Sequence, residues 1–505
     1  MFMVALAYAL SGHRDLITAR FVSYGIGALT IIGTYVYSKR IYGSRIAWLA
    51  CALLATGPFF LSFARIAFTE SDIFLACAFA WLLVCMTWLQ EHATVGRAAI
   101  TAIVLGLAIS SKFTAIAVFP AVLYGIIFKV GEDAQNERVL SPADMGTALV
   151  LIALMAGFIV AGWIPPMIKS HVDYTARYRL AHYLWVAFGG SLLLIWVIKH
   201  RHHTAPRWML AVFVIVVAGL VFFFIPPVHT TAAGATEMPR LIGSLLQRFE
   251  REMRLAPAFM AEAVILHLGC VIFKSGPVIG LWLLASFAMT WGQWAKRKES
   301  RFLLLLTLCY FMGLVALPIA QTFYMMPLLP PLAVVAAVQW YRLFSVRRRV
   351  ALFIGVSAVL LLSVDLGVCY PDYNLNGYQW LGVRYLGGRS TIGYRSIVQT
   401  PSDGVQQAME WLNDNAEPGE TALLYLNPWH IVRATSPNPA FKMLHPDENT
   451  LFSTPDFVVT HINHEIRHGW GPGNNPQGEV FWRPYRIDLL QAKYTKVFSV
   501  GRAFG

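Results

Sequence analysis

The sequence predicts a mainly α-helical, polytopic membrane protein with about twelve transmembrane helices, followed by a small α/β domain. The first observation is composition: the 505 residues are 57% hydrophobic and 13% charged, whereas soluble domains carry about 25% charged residues. The second is a series of long apolar runs before residue 370. The third is a polar composition after that point, which divides the chain into a transmembrane core, 1–370, and a second domain, 371–505.

Apolar runs long enough to span a bilayer recur along the core. The run at 98–111 is short for a span, and 258–273 is ambiguous. The predicted spans are 21–38, 46–63, 72–89, 98–111, 113–129, 146–164, 183–198, 208–226, 277–293, 302–318, 324–341 and 350–368.

The positive charges between these runs predict the orientation of an integral protein of the plasma (inner) membrane. The loops that hold Lys39, Arg97 and Arg347 belong to the alternate set that is richer in Lys and Arg, and an excess of cations marks cytoplasmic loops. Residues 62–72 and the C-terminal domain are therefore expected outside the cytoplasm. Because these loops account for much of the net charge of +13, nucleic acid is not an expected partner.

The same orientation places the first residues outside the cytoplasm, which requires a translocation signal. The segment MFMVALAYAL has no basic region and no cleavage site, so it does not resemble a signal peptide. We expect an additional transmembrane helix upstream of Met1.

The second domain is predicted to be a small extracytoplasmic α/β unit that the last span tethers to the membrane. Ser402 is suited to cap a helix that runs to about Asn415. The segments TALLYL (421–426), DFVVTHI (456–462) and TKVFSV (495–500) have the composition of buried strands.

No metal site is predicted. The stretch His464–His468, HEIRH, matches the zincin signature, but that signature needs a helix on which both imidazoles share a face. Gly469 follows the second histidine at once, and Pro472 follows soon after. Six cysteines are present without a C-x-x-C pair, so neither a zinc motif nor a disulfide framework is readable.

The strongest functional signal lies between two apolar runs, where Arg65, Glu70 and Asp72 fall within eight positions. Charged groups in a membrane segment are costly and mark functional sites. Thr69 and Asp72 also fit a helix capping box, which gives Asp72 a structural interpretation. A helix N-terminus beside an arginine is, in addition, suited to bind an anion such as phosphate.

Three further residues fall on the same predicted side of the membrane. Lys112 ends the run GLAISSK, and Gln321 and Tyr324 begin QTFYMMPLLPPLAVVAA, whose prolines should break a helix. We assign Lys112, Gln321 and Tyr324, with Arg65, to the binding of a phosphate. The alternatives are a lysine that extends to the interface and an ordinary interfacial tyrosine.

The segment from Arg20 to Leu75 resembles the core of the polyprenyl-phosphate-sugar-dependent GT-C glycosyltransferases. This superfamily includes protein O-mannosyltransferases and aminoarabinose lipid A transferases. The residues and segments that match the family are Arg20, the turn KRIYGSR, Pro58, the R-x-A-x-x-[DE] segment from Arg65 to Glu70, GLAISSK ending at Lys112, and FYMMPLLPPLAVVAA.

The resemblance implies a GT-C-like membrane core and an inverting transfer of a sugar from a polyprenyl-phosphate carrier to an acceptor hydroxyl. The acceptor would be a lipid, a protein or a glycan, and the surrounding partners would be membrane lipids. No cofactor is expected to be required; a divalent metal is compatible with this chemistry, but no motif indicates one. The family's usual general base, an Asp in the first outer loop, has no match in this sequence.

We assign Glu70 and Asp72 as the catalytic carboxylates, with Glu70 in the site and Asp72 partly structural, because a helix break at Thr69 would turn Glu70 towards the cavity. Two other functions stay open. A transporter or flippase of lipid-linked sugar would also place charges and broken helices in the membrane. A non-catalytic GT-C scaffold would explain the missing base.

Overall fold

A computed structural model describes the chain over ten stretches and a few residues between 141 and 150. The stretches are 2–12, 16–64, 71–127, 190–224, 256–293, 300–316, 322–369, 411–425, 441–444 and 456–460, with residues 13–15 falling between the first two.

The described part of the membrane core is helical. Two 3-10 segments, η1 and η2, interrupt the α-helices at Phe113–Val118 and Thr322–Leu328. The α-helices are α1 Phe2–Ser11, α2 Leu16–Tyr42, α3 Ser44–Thr56, α4 Pro58–Ala64, α5 Ser71–Glu91, α6 Val95–Ser111, α7 Phe119–Ile127, α8 Gly190–His200, α9 Arg207–Phe224, α10 Ala256–Lys274, α11 Pro277–Trp291, α12 Arg301–Ala316, α13 Leu329–Val346 and α14 Arg348–Cys369.

Within the described residues, three helical stretches are long and apolar enough to cross a membrane: Arg20–Tyr42, Asp72–Glu91 and Tyr324–Val346. Each coincides with a predicted run, and shorter apolar helices occupy most of the other described runs. The ambiguous run 258–273 is also helical, within Ala256–Lys274. The chain is therefore a membrane protein, while a total of twelve spans stays a prediction.

Helix α5 is the centre of the described bundle. Its side chains Phe79, Leu82, Leu83 and Met86 are fully buried, and the helix contacts α2, α6, α7 and α13. Close packing depends on small residues at the crossings: a Cβ added at Gly33 would lie 3.2 Å from the Cβ of Ala80. A helix buried on all sides needs apolar residues all round, which is why α5 reads as a continuous apolar run rather than an amphipathic one.

Cation-bearing loops meet at one end of the bundle. Arg40 forms an ion pair with Glu91, and Arg97 lies 3.7 Å from the same carboxylate. The loop after Glu91 pairs with the loop before α9, where the Val95 N–H donates to the His203 carbonyl at 3.1 Å. We call this the basic end, defined by Arg40, Glu91, Arg97 and the loop 201–206.

The first residues of α5 lie at the opposite end. Asp72 and Glu91 are both in this helix, and a rise of 1.5 Å per residue separates them by about 28 Å. That distance is close to the roughly 30 Å thickness of a bilayer core. The end that holds Asp72 is called the site end below.

The C-terminal region contains a three-stranded parallel sheet in the order β2-β1-β3. The strands are Thr421–Tyr425, Lys442–Leu444 and Phe457–Thr460. The first and third lie where strands were predicted, and residues 411–415 are helical within the predicted helix. The second strand was not predicted, because three residues are too short for a readable alternation. The predicted strand 495–500 and the stretch His464–His468 lie outside the described residues.

Candidate phosphate-binding and catalytic site

The centre of the site is an ion pair between Asp72 and Lys112. The Lys112 Nζ lies 2.7 Å from Oδ1 and 2.6 Å from Oδ2 of Asp72, so the ammonium contacts both carboxylate oxygens. The Asp72 side chain is 1% exposed and that of Lys112 is 11% exposed. A buried pair of this kind requires close geometry, because the two charges must recover the cost of leaving water.

Backbone geometry explains why Lys112 reaches Asp72. Helix α6 ends at Ser111, and Lys112 takes an extended conformation with φ −157° and ψ 123°. Its N–H still donates to the Ala108 carbonyl at 3.1 Å, while its carbonyl accepts from the Ala115 N–H at 3.0 Å. Lys112 thus joins an α-helix to the 3-10 segment η1, and this change of direction places its side chain beside the start of α5.

The face of Tyr324 covers the same ammonium. The Lys112 Nζ lies 3.3 Å from the centroid of the Tyr324 ring, a contact that stabilises a cation, the more so when it is desolvated. Tyr324 lies in η2, whose 3-10 geometry accommodates Pro327, and the α-helix begins just after it with prolines in its first turn. Proline lacks the N–H that an α-helix interior requires, so the irregular backbone follows from the sequence.

A second layer of polar side chains lies against this cluster and was missed from sequence. The hydroxyl groups of Tyr310 and Thr114 are 3.2 Å apart and both side chains are buried. The Tyr310 ring packs edge-on against Phe79, with centroids 5.0 Å apart. Thr114 lies two residues after Lys112, so this hydrogen bond ties η1 to helix α12. Tyr310 gives no sequence signal, since it stands inside an uninterrupted apolar run.

The structure therefore brings together three of the six predicted site residues: Asp72, Lys112 and Tyr324. Arg65, Glu70 and Gln321 lie outside the described residues, so their assignment stays a prediction. Asp72 is in the first turn of its helix, as the capping interpretation expects. Its carboxylate also has a contact that the sequence did not suggest, since both oxygens bind Lys112.

Over the described stretches no group of three or more His, Cys, Asp or Glu side chains is arranged to hold an ion.

Residues 1–163 match the family described as dolichyl-phosphate-mannose-protein mannosyltransferase. The resemblance to the GT-C glycosyltransferases is confirmed over this segment. The matched residues include α2 to α7 and therefore both partners of the Asp72–Lys112 ion pair. No curated protein matches the chain.

The solved structures that match the chain do so at low sequence identity and with TM-scores below 0.5. An oligosaccharyltransferase from Archaeoglobus fulgidus, in complex with zinc and sulfate, has 13% identity and a TM-score of 0.38, covering 88% of this chain and 53% of its own. The same archaeal enzyme with an inhibitory peptide and a dolichol-phosphate has 12% identity and a TM-score of 0.37, with coverage of 87% and 56%. ArnT from Cupriavidus metallidurans has 14% identity and a TM-score of 0.26, covering 94% and 80%. The chain spans about half the length of the archaeal enzyme.

Proposed function

We propose that this protein transfers a sugar from a polyprenyl-phosphate carrier to an acceptor hydroxyl at the outer face of the membrane. The observation that carries the proposal is the cluster of Asp72, Lys112 and Tyr324, which holds an ammonium group at one end of a membrane bundle. The match of the segment that contains Asp72 and Lys112 to a dolichyl-phosphate-mannose-dependent family supports it.

The cluster suits a leaving phosphate. A lysine within a membrane segment is energetically costly and therefore marks a candidate functional site. Its ammonium would stabilise the negative charge that develops on a departing phosphate. Asp72 orients this ammonium and balances its charge while no donor is bound. The Tyr324 ring excludes water from one side, which strengthens the electrostatic interaction with an incoming anion.

The reaction forms one C–O bond and breaks another. The acceptor oxygen attacks the anomeric carbon, and the bond from that carbon to the phosphate oxygen breaks with its electron pair on the phosphate. The acceptor proton goes to a carboxylate, which we assign to Glu70. Arg65 and Lys112 stabilise the phosphate that leaves, and Gln321 and Tyr324 position it. Attack opposite the leaving group inverts the anomeric configuration, and no cofactor takes part.

The partners follow from this chemistry. The donor is a sugar linked to a polyprenyl phosphate in the lipid phase, and the acceptor is a lipid, protein or glycan. The cation-rich basic end is placed in the cytoplasm of a plasma (inner) membrane protein. The site end and the C-terminal α/β domain are then extracytoplasmic.

A transfer assay tests the proposal directly. The protein is reconstituted in vesicles with a polyprenyl-phosphate-linked radiolabelled sugar, and transfer is compared between the natural chain and the double variant Asp72→Asn/Lys112→Gln. The double variant removes both charges together, so that neither is left buried alone. Lys39→Gln is the matched control, because Lys39 also lies near an aromatic ring, 5.6 Å from the Tyr35 centroid, but in α2 near the basic end.

We expect transfer by the natural chain and by Lys39→Gln, and a loss of about 10²-fold or more in the folded double variant, as for other groups that stabilise transition-state charge. Equal transfer by the natural chain and the double variant would contradict the proposal. Movement of the intact lipid-linked sugar across the vesicle membrane, without transfer, would favour the flippase alternative instead.

A further inference from the structure

A second polar feature lies at the turn between α10 and α11. Lys274 and Ser275 are buried there, at 3% and 2% exposure. Helix α10 packs against η2, the segment that carries Tyr324. The turn therefore lies at the site end of the bundle.

Lys274 lies against aromatic rings. Its Nζ is 5.6 Å from the centroid of Phe59 and 5.7 Å from that of Phe63. Both phenylalanines belong to α4, the helix that leads into the charged segment at Arg65. Aromatic faces stabilise a cation in a dehydrated place, so this arrangement keeps a positive charge inside the bundle.

Ser275 adds a hydroxyl group that nothing in the described structure satisfies. Its Oγ is buried and has no hydrogen-bond partner among the described residues. An unsatisfied buried hydroxyl destabilises the folded state, and most buried polar groups in native proteins do have a partner. A ligand oxygen at this position would supply the missing hydrogen bond.

The N-terminus of α11 begins directly after Ser275. Its N-cap is Gly276, with φ +85°, and no side chain caps the helix. The first N–H groups of a helix have no partner within the helix and attract anions. The position of this N-terminus is fixed, because a Cβ added at Gly280 would lie only 2.4 Å from the Ile272 Cα of α10.

We propose that Lys274, Ser275 and the N-terminus of α11 form a second phosphate-binding site, separate from the one at Lys112. The ammonium supplies the charge, the hydroxyl supplies a donor, and the helix N-terminus supplies backbone donors, which together match a tetrahedral oxyanion. The same chemistry suits the phosphate of a prenyl lipid and free phosphate. The site does not depend on sugar transfer, so it stands or falls separately from the proposed function.

Equilibrium binding to the full chain in phosphatidylcholine nanodiscs tests this site. The probes are a short-chain prenyl phosphate, the corresponding prenyl alcohol and inorganic phosphate. The variants are Lys274→Gln, Ser275→Ala and the double variant Asp72→Asn/Lys112→Gln, with Lys39→Gln as the control. Ser275→Ala removes a single hydroxyl group, so it tests the site even where Lys274→Gln does not fold.

We expect the prenyl phosphate to bind the natural chain and Lys39→Gln at two sites, and each of Lys274→Gln and Asp72→Asn/Lys112→Gln at one. Ser275→Ala should weaken one site by about three- to tenfold, the usual effect of a lost hydrogen bond. Competition by inorganic phosphate would show that the site recognises phosphate itself, and lack of competition would show that it needs the lipid form. Binding by Ser275→Ala and folded Lys274→Gln that equals binding by Lys39→Gln, or equal binding of the alcohol, would overturn the proposal.

Discussion

The buried contact between Asp72 and Lys112 fixes the position of both charged groups at this site. The pair bridges two helices whose contributing residues are 40 positions apart in sequence, at 2.6 and 2.7 Å. The sequence predicted both residues in one site, with a helix cap as the alternative for Asp72 and a snorkelling side chain as the alternative for Lys112. None of these interpretations includes the direct contact between the two, because an ion pair between distant residues leaves no local pattern.

The first prediction concerns the stability of this pair. Asp72→Asn alone should lower the free energy of unfolding by about 3–5 kcal/mol, since it leaves a buried ammonium without its counter-ion. A lost helix cap alone would cost only about 0.5–2 kcal/mol. Denaturation of the natural chain, Asp72→Asn, Lys112→Gln and the double variant measures the difference.

The double variant is the control in this series. We expect it to regain much of the stability that either single variant loses, because it buries no lone charge. Strictly additive losses in the cycle would show that the two side chains do not interact.

Glu70 is the subject of the second prediction. If Glu70 takes the acceptor proton, Glu70→Gln should reduce the turnover of sugar transfer by about 10²–10⁴-fold, as is usual for a lost acid–base group. The protein should keep its melting temperature, because the change is nearly isosteric. Near-normal transfer by Glu70→Gln, beside an inactive but folded Asp72→Asn, would assign the catalytic role to Asp72 instead.

At the scale of the elements, the 3-10 segment η1 positions the site. It follows Lys112 directly and is tied to α12 by the hydrogen bond between Thr114 and Tyr310. Apolar periodicity predicted the helices on both sides of η1 but not this bond, since its two hydroxyls lie in separate apolar runs. The same limit applies to the sheet, where the short strand Lys442–Leu444 exists because it pairs with Thr421–Leu423.

The third prediction tests that role of η1. Tyr310→Phe and Thr114→Val should each lower the free energy of unfolding by about 0.5–1.5 kcal/mol, with the double variant losing little more than either one. Both should also weaken prenyl-phosphate binding, because Lys112 is the residue that η1 holds. Tyr24→Phe, at an exposed position of α2, is the control. Unchanged binding by folded Tyr310→Phe would separate η1 from the site.

The C-terminal sheet supplies a fourth prediction, on pH. The Asp456 carboxylate accepts hydrogen bonds from the N–H and hydroxyl of Thr421, at 2.7 and 2.9 Å, and these bonds lower the pKa of Asp456 below its ordinary value. Because its pKa is lowered in the folded state, the ionised Asp456 carboxylate stabilises the fold fully above the unfolded pKa of about 3.9. This stabilisation is lost as the pH falls through the lower pKa of the folded state.

Amide hydrogen exchange, corrected for intrinsic rates, measures this effect at β1 and β3. Protection should fall below about pH 4 in the natural chain, and Asp456→Asn should show lower protection at neutral pH with a weaker dependence on acid. An identical acid profile in both proteins would mean that Asp456 does not hold the strands together.

At the scale of the whole molecule, the two ends of the bundle have different chemistry. Apolar runs and alternating cations predicted this division, because membrane thickness and the distribution of Lys and Arg both act on local sequence. Arg40 and Arg97 meet Glu91 at the basic end, whereas Lys112 is buried against Asp72 at the other. The match to the family described as dolichyl-phosphate-mannose-protein mannosyltransferase covers residues 1–163, which include residues of both ends, so the proposal of a site at the second end rests on the buried Asp72–Lys112 pair.

The distance between Lys112 and the donor phosphate tests the central claim most directly. Nitrogen–phosphorus dipolar dephasing is measured by solid-state NMR on chain with ¹⁵N-labelled lysine side chains and a prenyl phosphate in bilayers. We predict dephasing of lysine Nζ at ion-pair distance, and loss of the Lys112 contribution in Lys112→Arg but not in Lys39→Arg, while the contribution of Lys274 at the second site persists. Dephasing that is unchanged in Lys112→Arg would contradict the assignment of Lys112 to the phosphate.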